Sequence, residues 1–240
     1  MGFGIYAKLE LCNPTGSIKD RVIEYVLNHA LENELIDKNT ILVEASSGNT
    51  GISLASYGAS FGLPVKIIMP SDMSMERRRS IEMYGAEVIL VGPGQFDEAI
   101  KLRNEMCKEE NFFSTMQFEN DLNIRCHKET TGTEILLQLS LMGKKPKFLV
   151  AGTGTGGTLM GCSEKIKEMF PDLKVVAVEP MESPVMSGGE PGLHKIQGIG
   201  DGSKFLVDLS KVDEIVQISD EDAIKDSLSS RDSLPLLYHF

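Results

Sequence analysis

The first residue with clear chemical potential is Lys19, which follows a turn-forming Asn-Pro-Thr-Gly segment at residues 13–16. Apolar residues recur over residues 18–30 with helical spacing, so Lys19 is predicted to lie in the first turn of a helix. The helix dipole and partial burial both disfavour the charged form of a lysine placed there. Such a lysine can act as a nucleophile or form a Schiff base. The alternative is a surface lysine beside Asp20 and Arg21.

A glycine-rich run, Gly-Thr-Gly-Thr-Gly-Gly-Thr at residues 152–158, follows one apolar segment and precedes a helical pattern. Glycines let backbone N–H groups approach an anion closely, and the dipole of the following helix adds to the attraction. Thr155 and Thr158 add hydroxyl groups, so the run predicts a phosphate site. It lacks the Gly-Lys-Ser/Thr sequence of a P-loop. A dinucleotide-binding turn, with Glu179 as its acidic residue, is the alternative.

A polar run, Ser-Ser-Gly-Asn-Thr-Gly at residues 46–51, also stands between a predicted strand and a predicted helix. Its hydroxyl, amide and backbone N–H groups suit a carboxylate. The alternative is a plain helix N-cap, because Ser and Asn are preferred at that position. A lysine, a phosphate cradle and a carboxylate cradle together indicate a pyridoxal phosphate site that holds an amino acid.

Apolar strand-like segments alternate with helical patterns along the chain, at residues 41–45, 65–69, 88–91, 147–151, 175–178 and 215–218. This succession predicts parallel sheets with helical crossovers, on which ligands bind at the carboxyl ends of strands. A further strand is predicted at residues 5–11 and a helix at residues 130–141. Residues 112–118 are interpreted as a connector and as the best candidate domain boundary.

Composition restricts the function further. The net charge of −11 argues against a general binder of nucleic acid or anionic membranes. No apolar run approaches the length of a membrane span. The four histidines are scattered, so no metal site is expected. The cysteines form no Cys-x-x-Cys pair and no disulfide framework, which favours a reducing, cytoplasmic setting; they are Cys12, Cys107, Cys126 and Cys162.

Six segments together resemble the cysteine synthase and cystathionine β-synthase group of fold type II pyridoxal phosphate enzymes, namely residues 13–21, 44–51, 69–85, 128–134, 152–161 and 178–202. The resemblance implies an α/β, tryptophan synthase β-like fold with two open twisted sheets and pyridoxal 5'-phosphate in the cleft between domains. It implies a smaller, mobile domain at residues 13–117 and a larger cofactor-binding domain at residues 1–12 and 118–240. It also implies a homodimer and a complex with a serine acetyltransferase.

The resemblance assigns roles to single residues. Lys19 would hold the cofactor and abstract the substrate α-proton, and Asn49 would bind the ring hydroxyl. The cofactor phosphate would be bound by Gly154, Thr155, Gly156, Gly157 and Thr158. The substrate carboxylate would be bound by Ser46, Ser47, Gly48, Thr50 and Gln117. Gly198 would line the mouth of the site.

The implied reaction forms L-cysteine from O-acetylserine or O-phosphoserine and sulfide, through an aminoacrylate. Asp201 stands where a small residue is usual, and its carboxylate could activate water, which leads to the hypothesis of a cysteine-consuming lyase that releases hydrogen sulfide. The family's later serine turn is not recognisable after Gly202, so a truncated chain is expected. A third hypothesis is therefore an inactive paralogue that binds a ligand or a partner.

Overall fold

The computed structural model describes residues 4–230. The chain divides into two compact units, Met1–Met116 and Gln117–Phe240, with the boundary inside the connector expected at residues 112–118. Residues 4–12 group with the first unit, in which Glu10 forms an ion pair with Arg21. The resemblance implies that residues 1–12 belong to a larger domain together with residues 118–240. That assignment, and the limits of the smaller domain at residues 13–117, remain predictions.

The first unit contains a four-stranded parallel sheet with the order β3-β2-β1-β4. Its elements in chain order are α1 Lys19–Glu32, β1 Ile41–Ala45, α2 Asn49–Phe61, β2 Val65–Pro70, α3 Met75–Glu82, β3 Glu87–Val91, α4 Phe96–Met106 and β4 Phe112–Phe113. The predicted strand–helix alternation and the parallel pairing are confirmed.

Both faces of this sheet are covered by helices, which explains why its central strands are almost continuously apolar. Leu42 and Ile67 belong to the core that also contains residues of α1, α2 and α3. Their neighbours Val43 and Ile68 belong to a second core, which includes Ala99 of α4. The period-two alternation of strand side chains thus divides the strands between two helical layers.

The second unit contains a three-stranded parallel sheet with the order β5-β6-β7. Its elements are α5 Leu122–His127, a π-helical turn Lys128–Gly132, α6 Thr133–Leu141, β5 Phe148–Gly152, α7 Gly157–Lys167, β6 Lys174–Pro180, a 3-10 turn Leu209–Lys211, β7 Glu214–Ile218 and α8 Asp220–Ser230. Helix α7 packs its buried face onto Val175 and Ala177 of the central strand. Two parallel α/β sheets with flanking helices confirm the predicted fold class.

Three local predictions differ from the structure. Residues 5–10 form no strand in the described structure, because an apolar run becomes a strand only when a neighbouring strand pairs with it. Ile5 of this run is 86% exposed. The helix predicted at residues 130–141 corresponds to α6, which begins at Thr133 after the π-helical turn; the preceding α5 was not predicted, because buried polar residues interrupt its apolar pattern. The predicted connector contains β4, which at two residues is too short to show any periodicity. Within residues 4–230 none of the helices has the length and apolarity required to cross a membrane.

Candidate cofactor and substrate site

Lys19 is the first residue of α1, and the turn that precedes it is tightly held. The backbone oxygen of Asn13 accepts a hydrogen bond from the N–H of Gly16 at 2.8 Å, and Gly16 has φ +85°, which favours glycine. Nε of Arg21 donates to Glu10 at 2.6 Å, and the side chain of Asn13 donates to the same carboxylate. Lys19 itself is half-buried, so it lies at the end of a constrained turn.

Asp20 is buried rather than solvated, which contradicts the picture of a surface lysine beside two surface charges. Its carboxylate accepts hydrogen bonds from the N–H and the hydroxyl of Thr15, at 2.7 and 2.6 Å. It also accepts from the hydroxyl of Ser53 in α2, at 2.7 Å. The Lys19 turn is therefore joined to α2, whose first residues, Asn49–Gly51, belong to the predicted polar run.

Residues 46–51, here called the serine loop, run from the end of β1 into the first turn of α2. The buried hydroxyl of Ser46 accepts hydrogen bonds from the N–H groups of Gly48 and Gly51, at 3.3 and 3.2 Å. Ser46 thus stabilises the start of α2, as the N-cap alternative would have it, although the N-cap residue itself is Gly48. Asn49 is exposed and Thr50 is buried, both in the first turn of α2.

A buried carboxylate, Glu44, lies just before the serine loop and collects hydrogen bonds from the end of the first unit. It accepts from Arg103 at 3.1 Å, from the hydroxyls of Ser114 and Thr115 at 3.0 and 2.6 Å, and from the N–H of Met116 at 3.1 Å. Both charged partners are almost completely buried. The segment that leads into Gln117 is therefore fixed to the carboxyl end of β1.

Residues 152–158, here called the glycine loop, run from the last residue of β5 into the first turn of α7 in the second unit. Gly156 is the N-cap of α7 with φ +90°, and a Cβ atom there would lie 2.6 Å from Val207. A Cβ atom on Gly157 would collide with the side chain of Asn123. The first turn of α7, all of which the structure describes, carries no acidic side chain. At such a helix start an anion can come close to the backbone N–H groups, and no neighbouring carboxylate repels it. The glycine loop therefore suits a phosphate.

Two side chains that the sequence interpretation missed, Asn123 and His127, hold the hydroxyls of the glycine loop. Nδ2 of Asn123 donates to the hydroxyl of Thr155 at 3.0 Å and to the backbone oxygen of Gln117 at 2.9 Å. Nε2 of His127 lies 3.3 Å from the hydroxyl of Thr158. Both residues are buried and four positions apart on α5, a spacing that places them on one face and is the only sequence signal of their role.

Gly198 and Asp201 lie beside the glycine loop. The N–H of Gly200 donates to the backbone oxygen of Thr153 at 2.9 Å, which joins the two segments. A Cβ atom on Gly154 would lie 2.8 Å from the oxygen of Gly198 and 3.1 Å from Oδ2 of Asp201. The second unit thus brings together three of the predicted residues, including the exposed carboxylate of Asp201.

Glu179 does not support the dinucleotide alternative. It is buried, and its carboxylate accepts hydrogen bonds from the N–H groups of Met186 and Ser187 at 2.8 and 3.1 Å and from the Ser187 hydroxyl at 2.5 Å. A carboxylate engaged in this way holds its own loop rather than a ribose. Across the described residues, no group of three His, Cys, Asp or Glu side chains is arranged to hold a metal ion.

Each unit by itself contains residues that fit one part of pyridoxal phosphate. The lysine at the constrained helix start of the first unit suits its aldehyde, and the glycine loop of the second unit, which has no room for side chains at Gly156 and Gly157, suits its phosphate. The sequence matches the family described as "Pyridoxal-phosphate dependent enzyme" over residues 1–228.

Relatives and solved structures agree. A probable cysteine synthase of Bacillus subtilis is 41% identical over 222 residues, which are 91% of this chain and 71% of that protein. The crystal structure of a hydrogen sulfide-producing enzyme from Fusobacterium nucleatum matches with a TM-score of 0.88 and 41% identity, covering 92% of this chain and 67% of that one. A cysteine synthase structure from Entamoeba histolytica matches with a TM-score of 0.87 and 38% identity, covering 94% and 67%. The chain belongs to the family of pyridoxal-phosphate dependent enzymes.

Proposed function

We propose that this protein is a pyridoxal-phosphate-dependent cysteine synthase, which forms L-cysteine from O-acetylserine and sulfide. The observation that carries the proposal is Lys19, held at a constrained helix start, in a chain 41% identical to a probable cysteine synthase. The glycine loop and the serine loop supply the two anion sites that a phosphorylated cofactor and an amino-acid substrate need. O-phosphoserine is the other substrate that this chemistry admits.

The proposed roles follow from the family resemblance, residue by residue. Lys19 holds the cofactor, Asn49 binds its ring hydroxyl, and the phosphate is bound by Gly154, Thr155, Gly156, Gly157 and Thr158. The substrate carboxylate is bound by Ser47, Gly48, Thr50 and Gln117. The hydroxyl of Ser46 supports the same loop through the N–H groups of Gly48 and Gly51.

When bound, pyridoxal phosphate supplies an electron sink that stabilises negative charge at the substrate α-carbon. The ε-amino group of Lys19 removes the α-proton, and acetate leaves from the β-carbon. Sulfide then adds to the β-carbon, and Lys19 returns the proton to the α-carbon. The serine loop keeps the carboxylate in place throughout, so that the α-hydrogen stays within reach of the lysine.

Assembly and setting belong to the same proposal. A homodimer and a complex with a serine acetyltransferase are proposed from the family resemblance. A reducing, cytoplasmic setting is proposed from the dispersed cysteines.

Cysteine formation from O-acetylserine and sulfide tests the proposal. Lys19→Ala should lower the rate by at least about a thousandfold, because both proton transfers depend on this amine. Lys38→Ala is the matched control, since Lys38 is an exposed lysine of the same unit. An unchanged rate in Lys19→Ala, at equal folding, would contradict the assignment.

A second candidate function is hydrogen sulfide release from cysteine. It is favoured by one observation, the carboxylate of Asp201 lying against Gly154 of the glycine loop. A carboxylate at that edge can accept a proton from water and so direct water, in place of sulfide, to the β-carbon. Asp201→Asn should then reduce sulfide release from cysteine by about tenfold or more while cysteine formation changes little. Equal rates for both reactions in wild type and variant would eliminate this role.

A further inference from the structure

Asp20 lies in the first turn of α1, directly after Lys19, and is buried at 1% exposure. Three hydrogen bonds converge on it, at 2.6 to 2.7 Å. Bonds of this length to a buried carboxylate are among the stronger ones in proteins. A group so fully engaged has little left to offer a ligand, so its function must lie in the segments that it joins.

The three donors come from two different segments. Two belong to Thr15, in the turn that precedes Lys19, and the third is the hydroxyl of Ser53, in α2. Lys19 is next to Asp20 in the chain, and Asn49 lies four residues before Ser53, one helical turn away on the same face. The bond between Asp20 and Ser53 therefore sets the position of the lysine turn relative to the start of α2.

A second pair across the same two helices offers an internal comparison. The hydroxyl of Tyr57 lies 3.5 Å from Oε2 of Glu24. Glu24 and Tyr57 follow Asp20 and Ser53 by four residues each, so this pair lies one turn further along both helices and away from Lys19. It joins the same helices without touching the turn.

We propose that Asp20 is a positioning residue, which holds Lys19 in register with the α2 N-terminus so that the amine and Asn49 meet the cofactor correctly. The inference rests on the proposed function of Lys19. It goes further in assigning a role to a residue that touches neither cofactor nor substrate.

Five variants separate this role from simple stabilisation. Asp20→Ala removes the acceptor, Ser53→Ala removes only the link to α2, and Thr15→Val removes the turn hydroxyl at constant shape. Thr15→Ser restores that hydroxyl, and Tyr57→Phe is the control from the neighbouring pair. Each is titrated with pyridoxal phosphate and followed by visible absorbance, while circular dichroism and the melting temperature report folding.

The expected result is a rise of at least about tenfold in the apparent Kd for pyridoxal phosphate in Ser53→Ala and Thr15→Val. Thr15→Ser and Tyr57→Phe should stay within about twofold of the wild type. If Asp20→Ala does not fold, these milder variants still decide the question. A lower melting temperature with an unchanged Kd in Ser53→Ala and Thr15→Val would overturn the proposal, because the bonds would then be purely structural.

The failure of this inference differs from the failure of the proposed function. Borohydride reduction followed by peptide mass analysis shows whether the wild type carries the cofactor on Lys19. Cofactor attached elsewhere would overturn the proposed function, whatever Asp20 does. Cofactor on Lys19, with all of these variants equal to Tyr57→Phe, would overturn the role of Asp20 alone.

Discussion

Replacing the buried carboxylate of Glu44 by an amide should destabilise the first unit strongly. Glu44 pairs with Arg103, and the side chains of both are at most 2% exposed. Glu44→Gln leaves the guanidinium buried without its counter-charge. In the wild type, the Thr115 hydroxyl and the Met116 N–H donate to a Glu44 carboxylate oxygen, at 2.6 and 3.1 Å. The amide of the variant would place an NH2 group, itself a donor, among such donors.

Breaking a buried ion pair by removing one partner costs about 3–5 kcal/mol. With a urea m value of about 2 kcal/mol per molar, this loss lowers the unfolding midpoint by about 2 M. The control is Glu87→Gln, which breaks the exposed pair of Glu87 with Lys66 in the same sheet. That change should cost about 1 kcal/mol or less, because solvent screens an exposed pair.

The chain offers a local probe for this experiment. It has no tryptophan and five tyrosines, of which Tyr6, Tyr25, Tyr57 and Tyr84 lie in the first unit. Near-ultraviolet circular dichroism of tyrosine therefore reports mainly on that unit. If the midpoint of Glu44→Gln moves no further than that of Glu87→Gln, the buried network does not stabilise the unit and the reasoning is wrong.

Three further predictions follow from single contacts. Burial, with the negative charges of Glu24 and Asp20, raises the pKa of Tyr57 to about 12, so alkaline spectrophotometric titration should show one late tyrosine that Tyr57→Phe removes. Because Tyr57 in the unfolded chain loses its hydroxyl proton at lower pH than in the folded chain, the free energy of unfolding should fall between pH about 10 and 12. Simultaneous titration of all tyrosines would contradict the raised pKa of Tyr57. Gly156→Ala should weaken pyridoxal phosphate binding at least about tenfold, because its Cβ would meet Val207. Gly188→Ala, with similar φ and open space around it, is the control, and equal affinities would refute the steric argument. Asn123→Ala removes the donor to two buried oxygens and should weaken the same binding about tenfold, measured by absorbance titration; wild-type affinity would contradict that role.

The sequence was informative wherever a local pattern decides the structure. The strand at residues 41–45 is observed with the same limits, because a short, buried and largely apolar segment is bounded by polar and turn residues. The helix start at Lys19 was predicted for the same reason, since a turn precedes its apolar-periodic stretch. Helix α2 begins at Asn49, inside the polar run that was expected to precede it. Of the predicted site residues, these elements carry Lys19, Asn49 and Thr50.

The remainder depends on contacts between residues distant in the chain. Asp20 resembles any acidic residue in a first helical turn, and one of its three hydrogen bonds comes from Ser53, 33 residues later. Asn123 meets Thr155 across 32 residues, and Glu44 meets Thr115 across 71. Buried polar side chains interrupt the apolar pattern of α5, so this helix, Leu122–His127, was not predicted.

Identification of the residue that carries the cofactor tests the central claim most directly. The purified chain is incubated with pyridoxal phosphate, reduced with borohydride and digested, and the modified peptide is identified by mass spectrometry. We expect one modified lysine, Lys19, together with a visible absorbance band that Lys19→Ala abolishes and Lys38→Ala retains. Modification spread over exposed lysines, or an unchanged band in Lys19→Ala, would contradict the account.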